Sequence, residues 1–190
     1  MNTFQPFPKI ARVTASVTIT EKIDGTNAAI IIDDDGNVSA QSRSRLIFPT
    51  KHDDNYGFAV WVANHADELR EGLGVGHHYG EWWGQGIQRN YGLDHKRFSL
   101  FNVGRWTVDT TPSCCHVVPI LASGIEWDDR IRRSIDTYLR DGGSVAAPGF
   151  MRSEGYIVYF ANGMYLKRPL DKPEPPQRPD APAPFWRWAT

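Results

Sequence analysis

Turn residues cut this chain into short apolar runs, and that punctuation restricts the fold more than any other feature. Val13 to Glu21 carries β-branched residues in alternation (Val13, Val17, Ile19) and predicts a strand. Asn27 to Ile32 is a short apolar run. Asp33-Asp34-Asp35-Gly36-Asn37 then supplies turn chemistry, and Val38 to Arg43 returns as the partner strand. His77 to Trp82 and Phe98 to Val103 are further strand candidates. Tyr156 to Phe160 and Met164 to Lys167 flank Ala161-Asn162-Gly163, which predicts a hairpin on an Asn-Gly turn. Two segments carry helical spacing instead. One runs from Gly57 to Glu71, with Phe58, Val62, Ala66 and Leu69 on one face and Gly72 and Gly74 as stop signals. The other runs from Trp127 to Arg140, with Trp127, Ile131, Ile135 and Leu139 four apart and Gly142-Gly143 ending it. Strands that arrive as hairpins, with helices to cover them, predict an α+β fold of antiparallel-rich sheets with packed helices.

At 190 residues the chain can bury a core without staples. Its 41% apolar content exceeds that of a disordered or collagen-like chain. The only cysteines, Cys114 and Cys115, are neighbours, which excludes a disulfide scaffold and points to a reducing, cytoplasmic setting. No run nears the ~18 apolar residues of a membrane span, and the N-terminus has no apolar run of signal-peptide type. No membrane partner is expected, and a monomer is. The net charge of −1 gives no global field for a polyanion, so any nucleic acid must meet a local basic groove. Composition shifts at Pro169, after which come seven of the 13 prolines, Pro169 included. The chain therefore divides into a domain over 1–168 and a Pro-rich tail over 169–190. The tail's aromatic end (Phe185, Trp186, Trp188) is expected to dock as an extended strap, with a partner-binding disordered tail as the alternative.

The segment with most chemistry is Glu21-Lys22-Ile23-Asp24-Gly25-Thr26-Asn27, which follows a predicted strand. A lysine attacks only as the neutral amine, a form that burial or a nearby positive charge makes accessible. An ordinary turn with a solvated lysine is the bland alternative.

EKIDGTN resembles the nucleotide-attachment motif of the covalent nucleotidyltransferases, the superfamily of RNA ligases, DNA ligases and mRNA capping enzymes. Four further segments resemble that superfamily's motifs in order: Tyr79-Gly80-Glu81-Trp82-Trp83-Gly84, Phe98-Ser99-Leu100-Phe101-Asn102-Val103, Glu154-Gly155-Tyr156-Ile157-Val158 and Leu166-Lys167-Arg168. Thr26-Asn27 after the glycine is similar to the bacteriophage-type RNA ligases. Stopping near the fifth motif also fits that group, with no OB-fold domain expected after it. The resemblance implies a DNA/RNA ligase adenylation domain, ATP-grasp-like in fold. It also implies ATP-dependent joining of 5′-phosphate and 3′-hydroxyl RNA ends through a lysyl-AMP, as in RNA repair.

The same resemblance assigns roles. Lys22 is the nucleophile, and Lys167 contacts the α-phosphate. Glu154, with Asp24, holds Mg²⁺ or Mn²⁺. Glu21, Ile23, Asn27, Arg43, Glu81 and Phe98 bind the nucleotide, Phe98 by stacking on adenine. Asn27, Arg89 and Arg168 contact nucleic acid. Two positions depart from the pattern. Tyr165 stands where a Lys-x-Lys motif has its first lysine, unless Arg168 replaces that charge, and Asn102 stands for an Asp. A DNA ligase core, a GTP-using capping-type transferase and a non-catalytic nucleotide- or nucleic-acid-binding module are the alternatives.

Other features read more simply. Trp82 and Trp83 suit core better than base stacking. Gln88 and Arg89 either contact the strand or close a loop. His77-His78 would point to opposite strand faces, and Cys114-Cys115-His116 lacks zinc spacing. Arg130, Arg132, Arg133 and Arg140 suit a solvated helix face paired with Asp129 and Asp136.

Overall fold

A computed structural model describes residues 16–171 of the chain. The expected strap of Phe185, Trp186 and Trp188 lies outside the described residues, as does the start of the first predicted strand. Thirteen elements follow in order: β1 (Ser16–Lys22), β2 (Thr26–Ile32), β3 (Val38–Ser42), β4 (Leu46–Ile47), α1 (Phe58–Asn64), α2 (Ala66–Leu73), β5 (Gly76–Gly84), β6 (Lys96–Leu100), β7 (His116–Val117), β8 (Ile120–Glu126), α3 (Asp129–Gly142), β9 (Gly155–Phe160) and β10 (Tyr165–Pro169). They form two sheets, ordered β10-β9-β1-β8 and β4-β3-β2-β5-β6-β7. Every ladder is antiparallel except β6 with β7. The α+β, antiparallel-rich expectation therefore holds.

The predicted helix over 57–71 is two helices, broken at His65. The His65 ring bonds the Trp61 carbonyl at 2.8 Å, and the His65 backbone N–H is shared between the Trp61 and Val62 carbonyls. The side chain competes for the ladder and the backbone turns. α2 runs through Gly72 and stops at Gly74. α3 starts two residues later than predicted because the Asp128 carboxylate accepts the Ile131 N–H at 2.7 Å as an N-cap. The loop between β9 and β10 closes over three residues, with the Phe160 N–H on the Met164 carbonyl and Gly163 at φ 85°.

The two sheets bury opposite partners. β2, β5 and β6 pack Ile30, Trp82 and Phe98 against Phe58, Val62 and Leu69 of the short helices. β1 and β9 pack Ile19, Tyr156 and Val158 against Ile135 and Leu139 of α3. Residues directly opposed in an antiparallel ladder share a face. On the other face of the smaller sheet, Thr18, Tyr159 and Tyr165 stand in one row, Thr20, Ile157 and Lys167 in the next, and Lys22 with Gly155 after that. On the larger sheet Asn27, Glu81 and Ser99 are in register, as are Ala29 and Tyr79. Thr18 and Tyr159 from one sheet and His77, Tyr79 and Phe101 from the other line one cavity of about 440 Å³. These two faces form the walls of a cleft. Among the described residues no helix is long and apolar enough to cross a membrane.

Candidate functional site

The chain crosses from one cleft wall to the other in three residues, Ile23-Asp24-Gly25, and Lys22 is the last residue before the crossing. The crossing is held from behind. Ile23 is buried with Trp83, Tyr91, Val118 and Ala147, and the Tyr91 hydroxyl accepts the Asp24 N–H at 2.7 Å. Gly25 is required by space. A Cβ there would lie 2.5 Å from the Trp82 carbonyl oxygen and 2.8 Å from Trp83 Cβ. That close approach lets the Gly25 N–H donate to Glu81 Oε1 at 3.1 Å, while Asn27 Nδ2 donates to Glu81 Oε2 at 3.4 Å. Gly155, opposite Lys22, is equally constrained: at φ 153° a Cβ would fall 2.0 Å from the Arg168 carbonyl oxygen.

Lys22 Nζ donates to Glu154 Oε1 at 2.5 Å, and the lysine side chain keeps 27% of its surface exposed. Glu154 precedes β9, so the pair joins the end of one strand to the start of its neighbour. Burial pushes the Glu154 carboxyl up, and the Lys22 bond only partly offsets it. Glu154 Oε2 is buried and has no hydrogen-bond partner among the described residues. Glu81 is 8% exposed. Burial raises its carboxyl to about 7; the Lys22 charge pulls it down, and Glu154 and Asp24 push it up. Lys22 thus faces two carboxyls that the fold holds toward their neutral forms. Glu154 is placed to exchange a proton with the lysine nitrogen directly.

The structure brings Lys22, Asn27, Glu81 and Glu154 together and places other expected residues differently. Phe98, expected to stack on a base, is fully buried at 0% exposure. It is opposite Trp82, so it faces the helices, and its ring lies 5.2 Å from that of Phe58. The ring that faces the cleft is Phe101, which continues the β6 ladder with its N–H on the Tyr79 carbonyl. Phe101 lines a second cavity of about 200 Å³ with Asn27, Gln41, Arg43 and Tyr79. Arg43 follows Ser42, the partner of Ala28, and so is at the cleft across from Asn27.

The Glu21 side chain points to the opposite face from Lys22. Its Oε2 accepts the Val145 and Ala146 N–H groups at 2.8 Å each, and burial raises its carboxyl. The Ile23 side chain belongs to the core. Asp24 Oδ2 is taken by Arg89 Nε at 2.8 Å rather than turned to the cleft. Arg89 also donates to the Arg152 carbonyl at 3.0 Å and pairs with Asp171, so it is not presented to a strand. Lys167 is exposed on the cleft face beside Ile157. Arg168, its neighbour, points the other way and donates to Asp136 of α3 at 3.3 Å. It therefore does not stand in for the missing motif lysine. Tyr165, on the Lys167 face and 68% exposed, occupies that place.

Phe101, Tyr91 and Ile157 are the cleft and turn residues that sequence reasoning missed. Phe101 lies in the Phe98–Val103 motif and Ile157 in the Glu154–Val158 motif, but their faces depend on strand register. Nothing in the sequence pointed to Tyr91 as the support of the crossing.

A model of the RNA ligase family matches residues 15–170. No curated protein matches the sequence. Among solved structures, a mutant of Naegleria gruberi RNA ligase with AMP and Mn superposes with a TM-score of 0.57 at 18% identity. The match covers 82% of this chain and 50% of that chain. A second mutant, with ATP and Mn, gives 0.59 at 18% identity over 82% and 49%. A third, also with ATP and Mn, gives 0.60 at 18% identity over 82% and 50%. These likenesses show the fold, and this chain spans about half the length of those proteins.

Proposed function

The chain belongs to the RNA ligase family, and from that premise we propose that it joins RNA 5′-phosphate and 3′-hydroxyl ends through a lysyl-AMP on Lys22, with ATP as the adenylate donor. The observation that carries the reading is the Lys22–Glu154 pair at 2.5 Å on the cleft wall, with Glu81 beside it. Lys22 stands between one half-buried carboxyl, Glu154, and one buried carboxyl, Glu81. A nucleophile needs a neighbour that can take its proton.

ATP enters the cleft with its base against Phe101 and across from Ile157, and its sugar near Asn27 and Arg43. The Lys22 proton passes to Glu154 Oε1. The free amine attacks the α-phosphorus, an N–P bond forms, and the bond to the β-phosphate oxygen breaks with pyrophosphate as leaving group. Lys167 supports the charge on the α-phosphate, a task that falls mainly to positioning and electrostatics in phosphoryl transfer. The RNA 5′-phosphate oxygen next displaces Lys22 from the adenylate, giving AMP joined to the RNA end. The 3′-hydroxyl oxygen then displaces AMP, and the strand is sealed.

The family implies a divalent cation. Among the described residues no cluster of three His, Cys, Asp or Glu side chains is built to hold one. The buried Glu154 Oε2, unpartnered among the described residues, nevertheless fits Mg²⁺ or Mn²⁺, because such ions often keep waters and take one carboxylate plus substrate phosphates. When bound, the ion neutralises phosphate charge. Asp24 fits less well while Arg89 holds its carboxylate. A monomer acting on RNA ends in the cytosol, with repair as its purpose, belongs to the same proposal.

The test is a joining assay with ATP and Mg²⁺ on a panel of single-stranded, nicked RNA, nicked DNA and hybrid substrates. RNA substrates should be sealed with release of AMP. Joining of DNA nicks alone would replace the RNA reading with a DNA one, and adenylation with GTP in place of ATP would favour a capping-type transferase.

A further inference from the structure

Arg89 lies behind the crossing, and its guanidinium ties three segments together. Nε donates to Asp24 Oδ2 at 2.8 Å, one terminal nitrogen donates to the Arg152 carbonyl at 3.0 Å, and the other pairs with Asp171. Asp24 is two residues past Lys22. Arg152 is two residues before Glu154. Leu170, next to Asp171, donates its N–H to the Glu154 carbonyl at 2.8 Å. The guanidinium therefore sits where the segments carrying both halves of the Lys22–Glu154 pair meet. A planar fork with several fixed donors suits three separate acceptors, which a lysine ammonium on a flexible stem does not.

The loop that presents Arg89 is itself costly. Gln88, Asn90 and Tyr91 have φ of 44°, 62° and 51°, a left-handed region uncommon for residues with side chains. Two buried anchors, Ile87 and Tyr91, hold the loop in that shape. The Asn90 side-chain oxygen accepts the Gly86 N–H at 2.7 Å. Tyr91 meets the Asp24 N–H, so the same loop grips the crossing twice. Strain of this kind persists only where the surroundings over-determine it.

We propose that Arg89 is a positioning residue for adenylation: it locks the Lys22 turn to the segment leading into Glu154, so the amine keeps its line of attack on the α-phosphorus. The proposal rests on the adenylation reading above. It replaces the role in strand binding that the sequence suggested for Arg89, because all three kinds of guanidinium nitrogen are spent inside the protein and its side chain is only 20% exposed.

The experiment is single-turnover transfer of label from ATP to the full chain across ATP concentrations, paired with hydrogen exchange at the Asp24 and Gly25 amides. Arg89→Ala should lower the maximal adenylation rate by about 10²-fold, the cost of a misplacement near 1 Å, with little change in KM for ATP. Arg89→Lys should recover part of that rate. Asp24→Asn should also slow the step, and the double variant should be no slower than Arg89→Ala, because the two residues act as one unit. Exchange at Asp24 and Gly25 should quicken in Arg89→Ala. If Arg89→Ala does not fold, the same split between rate and KM is read in Arg89→Lys. A parent-like rate, a loss confined to KM, or a loss seen only when preformed enzyme–AMP meets RNA would each overturn the proposal. If the parent takes no label, the adenylation reading fails by itself. Exchange then still decides whether Arg89 holds the turn, and unchanged exchange would overturn that claim.

Discussion

Substituting Gly25 by Ala tests how closely the crossing is fitted. The new Cβ would lie 2.5 Å from the Trp82 carbonyl oxygen, 2.8 Å from Trp83 Cβ and 3.0 Å from Glu81 Cγ, where ordinary contact begins at 3.4 Å. The Trp82 carbonyl belongs to β5, which is paired on both sides, and Trp83 is buried. Neither can yield, so the turn must withdraw by about 0.9 Å, the gap between the tightest contact and an ordinary one. That movement lengthens the Gly25 N–H bond to Glu81, a loss of about 1–3 kcal/mol, and leaves about 1–3 kcal/mol of overpacking. For a chain of this size each kcal/mol is worth about 2–4 °C in melting temperature. Lys22, three residues earlier, moves with the turn, and a displacement near 1 Å costs about 10²-fold in rate. The assay pairs thermal melting with rapid-quench labelling at saturating ATP. A variant that melts lower but labels at the parent rate would show that the turn does not set the line of attack. One unchanged in both would refute the close packing itself.

Two further outcomes are expected. The Glu81 carboxyl rises from 4.5 to about 7 on folding, so the folded state holds its proton more tightly. Stability is fully present below pH 4.5 and falls as pH rises toward 7, by about 3 kcal/mol for this group. Glu81→Gln removes that dependence, so its melting temperature should gain on the parent's between pH 5 and pH 8. A difference that does not change with pH would contradict the assignment. The two phenylalanines should also separate. Phe101→Ala should weaken ATP binding by about 1–3 kcal/mol of lost stacking and lower melting less than Phe98→Ala does, because Phe101 is only partly packed against the Ile23–Trp83 cluster, whereas Phe98→Ala should cost about 3–5 kcal/mol of stability. Titration of ATP by calorimetry and denaturant melts check both, and the reverse pattern would return the stacking role to Phe98.

The hairpins were legible because their turn residues and apolar runs are local. Asp33 to Asn37 closes β2 onto β3, and the 161–163 loop closes β9 onto β10, where the sequence placed them. β8 was not legible. It carries Gly124, and two register shifts in its pairing with β1 disrupt alternation. The break at His65 was hidden because the apolar spacing runs across it, while the cause is one imidazole bond. Lys22, both glutamates and Asn27 could be grouped from motif resemblance: Lys22 ends β1, Asn27 is near the start of β2, Glu154 precedes β9 and Glu81 lies within β5. The wrong choice between Phe98 and Phe101 has a different origin. Both rings are apolar and three apart, so they face opposite ways. Only the pairing of Glu81 with Ser99 decides which one looks into the cleft. The same holds for Arg168, whose direction follows from Lys167 facing Ile157, and for Arg89, whose three acceptors come from distant parts of the chain.

The most direct measurement is the position of the nucleotide on the protein. After incubation with ATP and Mg²⁺, digestion and mass spectrometry should find AMP on the peptide containing Lys22, joined through an acid-labile N–P bond. Lys22→Ala should take none while keeping its fold. AMP on another residue, or an unlabelled parent protein that still binds ATP, would contradict the account.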